Sequence, residues 1–190
     1  MTRELPRAAL RALAIATTTL MFCACGDDTG TDSKTNPSTA RCTAGVLESD
    51  LAVDPLMGPG VDSGGKLKLE PGGQYVVSST YGVPVPGADG ARVSDRYLQL
   101  FGAVQAQLEK QPGLLAMSLG TSDACGSGRT LALWRSEEEM YDFVTSPAHM
   151  AAMKAASEIL QPGYEVTHWD ATTAESVTFS EAVRHLKDKQ

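Results

Sequence analysis

"LLAMSLGTSDACGSGRTLALW", residues 114–134, is two apolar runs joined by a turn rich in glycine and serine. Runs this short, bounded by turn residues, predict two strands, over residues 114–122 and 129–135. A strand sends alternate side chains to opposite faces, so a sheet wet on one side reads apolar then polar. Here Leu115, Met117 and Leu119 alternate with Leu114 and Ala116, and Leu131 and Leu133 alternate with Ala132 and Trp134. Both faces are apolar. Such a layer has to be covered twice.

Working outward, "QYVVSSTYGV" at 74–83 is rich in β-branched and aromatic residues and ends at "PVPG", a third strand. Ser94 can cap a helix whose stripe is Tyr97, Phe101, Val104 and Leu108, stopped by "QPG" at 111–113. Ser136 and Glu139 form a capping box that opens a second helix, with three glutamates at its positive end. Ser146-Pro147 restarts or kinks that helix, which is expected to run through Ile159. "YEVTHWD" at 164–170 is a fourth strand, and a short amphipathic helix spans about 180–186, within a C-terminal stretch of residues 171–190. From residue 74 to 170 the order is β-α-β-β-α-β, the ferredoxin-like unit of the α+β class, with one antiparallel sheet and both helices on one face. Residues 46–73, rich in glycine and proline, read as an irregular lead-in that lies over the domain. No segment stands out as able to cover the second face, so a second copy of the sheet is the expected cover. That expectation is a homodimer.

Residues 1–24 read as a targeting segment: Arg3, Arg7 and Arg11 precede an uncharged run from Ala12 to Phe22, too short to span a membrane. Ala24-Cys25 resembles the lipobox of bacterial lipoproteins. That resemblance implies a lipid on Cys25, an anchor in the cell envelope as the sole membrane contact, and, from Gly26, the periplasmic face of the outer membrane. Residues 25–45 are polar and read as a flexible tether. The net charge of −7 becomes more negative when three arginines and one glutamate leave with the segment, which excludes a nucleic-acid partner. Cys42 and Cys125 then remain, and in an oxidising compartment a structural disulfide is expected, with two free thiols as the alternative.

The element order, "TLALW" at 130–134, the acidic helix start and Ser146-Pro147 resemble the dimeric α/β-barrel superfamily, with its antibiotic-biosynthesis-monooxygenase-like, haem-degrading and spheroidene-monooxygenase-like branches. The resemblance implies a pocket between sheet and helices, lined by Trp134, Phe143, His149 and Met153. It would hold a small apolar or aromatic molecule, with a monooxygenase role in which His149 is the catalytic residue or a ligand contact. The haem-degrading branch would need an asparagine where Ser79 or Thr80 stands, and a histidine where Met153 stands. No cofactor is therefore called for, and haem stays open only through the spheroidene-like branch. The competing reading is a non-catalytic ligand carrier or dimerisation module. His168 and Asp170 share a strand face, but two residues do not make a metal site, so no metal is expected. Met117, Met140, Met150 and Met153 are candidates for an adaptable apolar lining.

Overall fold

The structure, a computed structural model, describes residues 42–187. The signal segment, Cys25 and most of the tether lie outside the described residues. Among those described, five strands form one antiparallel sheet: β1 (Ala52–Val53), β2 (Tyr75–Gly82), β3 (Leu114–Ser122), β4 (Ser127–Trp134) and β5 (Glu165–Ala171). Their order across the sheet is β1-β3-β4-β2-β5. Leaving β1 aside, the first and third strands of the βαββαβ unit are central and the other two flank them, so the fold is ferredoxin-like.

The helices follow their local signals. Ser94 Oγ accepts the Tyr97 N–H and starts α1 (Asp95–Leu108). Ser136 Oγ accepts the Glu139 N–H and starts α2 (Glu137–Val144). The second long helix restarts at Ser146-Pro147, as expected, and breaks once more at Ala155, which was not. Ser146 caps α3 (Pro147–Lys154) by accepting the His149 N–H, and Ala155 interrupts the chain before α4 (Ala156–Ile159). Proline lacks the N–H that would continue α2, so a new helix with a new direction begins at Pro147. The last helix is α5 (Phe179–Lys187).

Both faces of the sheet are apolar, as the alternation requires, with one local change. A bulge between Leu114 and Ala116 places Leu114 opposite Trp134 and Ala116 opposite Leu133. Leu114 therefore joins Met117 and Trp134 on the helix face, and Leu115 joins Ala116 on the other. An extra residue shifts every side chain before it to the opposite face.

The second face is covered by the chain's own residues. Val77, Ala116, Leu133 and Trp169 on that face are buried under Val177, Phe179 and Ala182 from the C-terminal stretch, and under Leu51, Leu56, Val61, Leu67 and Leu69 from the lead-in. The expectation that nothing else in the chain could cover this face is thus corrected, and with it the reason for a sheet-to-sheet homodimer. The lead-in runs first as β1 along the edge of β3 and continues through paired backbone bonds between Met57 and Met117, at 2.9 and 2.7 Å. It then crosses the face. At Gly58 (φ 143°) a Cβ would lie 2.5 Å from the Leu115 carbonyl oxygen, so only glycine lets the two backbones approach.

Polar contacts staple the start of the lead-in to the β3–β4 hairpin. The expected disulfide joins Cys42 and Cys125, with their Cα atoms 5.4 Å apart. Arg129 donates to Glu48 at 2.7 Å, both side chains being inaccessible to solvent. Ser127 donates to the other Glu48 oxygen at 2.5 Å. Three further guanidinium N–H groups reach the carbonyls of Thr43, Ala44 and Val46, and the guanidinium lies 4.6 Å from the centre of the Tyr81 ring. Asp50 accepts from the Ala124 N–H and from Ser122, which hold its carboxyl below the ordinary carboxylate range. Residues 42–45, assigned from sequence to the tether, are docked at this point, with Ala44 buried.

Candidate functional site

The helix face carries Val76, Ala132 and Trp134 from the central strands and Leu114 from β3, closed over by Met140 and Phe143 of α2. Trp134 is wholly buried and sits opposite Val76 and Leu114 in the register. Its Nε1–H donates to Ser78 Oγ at 2.9 Å, which satisfies the one polar atom of the ring. Phe143 stacks on it, with ring centres 5.3 Å apart, and His149 meets Phe143 at 4.8 Å. Three of the four residues expected to line a pocket are therefore together.

They are packed rather than open. Trp134 has no exposure, and the two cavities described below do not include Trp134, Phe143 or His149 in their walls. Met153 is a correction: it is 43% exposed on α3, whose direction was reset at Pro147, and it lines neither cavity. His149 Nδ1 lies 2.9 Å from the Val144 carbonyl oxygen, which only an Nδ1–H can satisfy. Burial lowers the His149 pKa, with the Val144 bond acting weakly in the other sense. The imidazole is accordingly neutral at pH 7, protonated at Nδ1, and Nε2 is left as an acceptor. The ligand set of the haem-degrading branch does not fit this arrangement. The position where the haem-degrading branch needs a histidine is the exposed Met153, and Trp134 and Phe143 are in ring contact. Among the described residues no group of three or more His, Cys, Asp or Glu could hold a metal ion. His168 lies edge-on to Tyr141 at 6.5 Å.

The open space on this face lies beside the stack. A groove of ≈ 340 Å³ separates the C-terminal half of α1 from β3 and the lead-in. Its apolar walls are Leu108, Leu114, Met117 and Met57, and Gln105, Glu109 and Gln111 stand at its rim. Leu114 is in the same apolar cluster as Trp134, with Leu108 and Met117 packed against it, so the groove's floor and the aromatic stack form one continuous apolar body. Its size is within the about 300–1,000 Å³ common for small-molecule sites. Met117 was a candidate from sequence. Met57 was not: it sits in an aperiodic segment, and only its backbone pairing with Met117 brings it here. The one local cue was "GPG" at 58–60, where glycine permits the close pass over Leu115. A second cavity of ≈ 310 Å³ lies at the other end of the molecule, walled by the disulfide, Tyr81 and Gln161.

No family model matches this chain, and no curated protein does. Solved structures similar to it include Rv0793 from Mycobacterium tuberculosis, at 19% identity over 50% of this chain and 92% of that one, with a TM-score of 0.43. SnoaB from Streptomyces nogalater, titled a cofactor-independent oxygenase, is 14% identical over 53% and 93% of the two chains, with a TM-score of 0.39. PA3566 from Pseudomonas aeruginosa is 10% identical over 53% and 96%, with a TM-score of 0.40. These likenesses concern the course of the chain, and the function has to be argued from the side chains present.

Proposed function

We propose that this chain is a binding module for a small apolar or aromatic molecule, held in the groove between α1, β3 and the lead-in. The observation that carries the reading is an open apolar groove whose floor, Leu114 and Met117, is continuous with the Trp134 cluster. Thioethers adapt to irregular guests, and Met57 is 53% exposed in the groove wall. We also propose that the chain works as a single copy at the periplasmic face of the outer membrane, anchored by lipid on Cys25 after loss of residues 1–24. The basic start, the uncharged run and Ala24-Cys25 support that address, and a disulfide between Cys42 and Cys125 agrees with an oxidising compartment.

A catalytic reading is favoured by one observation: His149 is neutral, half-buried, and on the edge of the same aromatic stack, with Nε2 able to accept a proton. Its monooxygenase version requires oxygen uptake with an oxidisable aromatic such as a quinol, lost in His149→Ala. The binding module is expected to show none.

Binding itself is tested with N-phenyl-1-naphthylamine, a neutral fluorophore that brightens in apolar surroundings. The unacylated chain (Cys25→Ser) should bind it, and Met57→Asp should weaken binding about tenfold or more, because a carboxylate entering an apolar mouth is poorly solvated. Met57 is exposed, so the substitution leaves the core intact. Unchanged affinity in Met57→Asp would remove the groove as the site.

A further inference from the structure

We infer that the groove selects its guest by charge, favouring a cationic or neutral apolar molecule over an anionic one of the same shape. The inference rests on the groove being the binding site. Among the groove's walls and rim the single ionisable residue is Glu109, and no lysine, arginine or histidine lines it. Glu109 is the C-terminal cap of α1, a helix of 14 residues with no basic residue in its last turn. The carbonyl end of a helix carries partial negative charge, which here is not offset by a nearby side chain of that turn.

The surroundings add no cation to the lining. The Glu139 side chain lies over Gly113, directly before Leu114 of the groove floor. Arg135 pairs with Glu139 at 3.3 Å, so these two together leave the local charge to Glu109 and the helix end. At the rim, the Gln111 side-chain oxygen accepts from Gln107 at 2.8 Å. Lys110 follows Glu109 in sequence but is absent from the lining. The whole chain is acidic, at −7, so no long-range field draws in an anion. An aromatic or aliphatic body would lie on Leu108, Leu114 and Met117, with an ammonium or protonated amine at Glu109 and the helix end. A carboxylate or sulfonate in the same place would face like charge.

Two probes with one shared skeleton isolate the effect: N-phenyl-1-naphthylamine is neutral, and 8-anilinonaphthalene-1-sulfonate adds an anionic group to it. The cationic 9-aminoacridine completes the set. With the Cys25→Ser chain at low salt, the sulfonate should bind at least about fivefold more weakly than its neutral parent, as one unscreened charge contact implies. 9-Aminoacridine should bind more tightly in low salt than in high salt. Glu109→Lys should reverse the order of the sulfonate and the cation. Equal affinity for the neutral and anionic probes overturns the charge inference while leaving the groove as a binding site. A sulfonate disadvantage that persists unchanged in Glu109→Lys also overturns it, because the discrimination then arises elsewhere. If none of the three binds, the groove reading falls and this inference with it.

Discussion

Arg129→Ala is expected to destabilise the protein by about 3–5 kcal/mol, the cost of stranding a buried carboxylate when its partner is removed. Glu48 and Arg129 are both fully shielded from water. Taking two charges out of water is costly, and the pair persists because every nitrogen of the guanidinium donates. One N–H meets Glu48, and others meet the carbonyls of Thr43, Ala44 and Val46. Alanine would leave Glu48 with only Ser127 as a buried partner and would take the Arg129 donors from the carbonyls of Thr43, Ala44 and Val46. Because domains of this size are stable by only about 5–15 kcal/mol, the loss should be plain in urea denaturation. The double substitution Glu48→Leu with Arg129→Met should cost less than Arg129→Ala alone, because no unpaired charge remains. A loss under about 1 kcal/mol for Arg129→Ala would show that the staple is not what holds the lead-in.

The second large effect concerns the covered sheet face. The Cys25→Ser chain is expected to sediment as a single copy at micromolar concentration, since Val77, Ala116 and Leu133 are already wholly buried by the chain's own lead-in and C-terminal stretch. Phe179→Ala should lower stability by about 3–5 kcal/mol, the range for deleting a buried phenylalanine ring. It should also promote self-association, because the deleted ring opens the apolar layer that Phe179 closes with Val177 and Ala182. A folded dimer of the intact chain, with the lead-in displaced from the sheet, would restore the paired barrel and defeat the self-covered description. Sedimentation velocity across a concentration series distinguishes the two.

The disulfide adds to the same arrangement. It closes a loop spanning 83 residues, which the chain-entropy model values at about 4–5 kcal/mol. Its position, at the start of the lead-in and beside the Glu48–Arg129 pair, ties the segment down where the polar contacts are densest.

Much of this was legible in the residues. Strand and helix signals are local, so Ser94, Ser136 and Ser146 each announced the helix they cap, and the alternation along 114–134 announced a layer apolar on both sides. With Cys23 and Cys25 assigned to the signal and the anchor, the cysteine count named the pair that is joined. The family resemblance also grouped Trp134, Phe143 and His149, which meet on β4, α2 and α3. Tertiary structure decided the rest. The covering residues Leu51, Leu56, Val61, Leu67 and Leu69 have no period, so no pattern marks them as apolar surface, and their placement depends on partners such as Arg129, 81 positions from Glu48. The bulge before Ala116 and the new helix axis after Pro147 moved Leu114 into the site and Met153 out of it. A sequence states what each side chain would prefer to bury. Which distant segment does the burying is set by the backbone geometry of the folded chain.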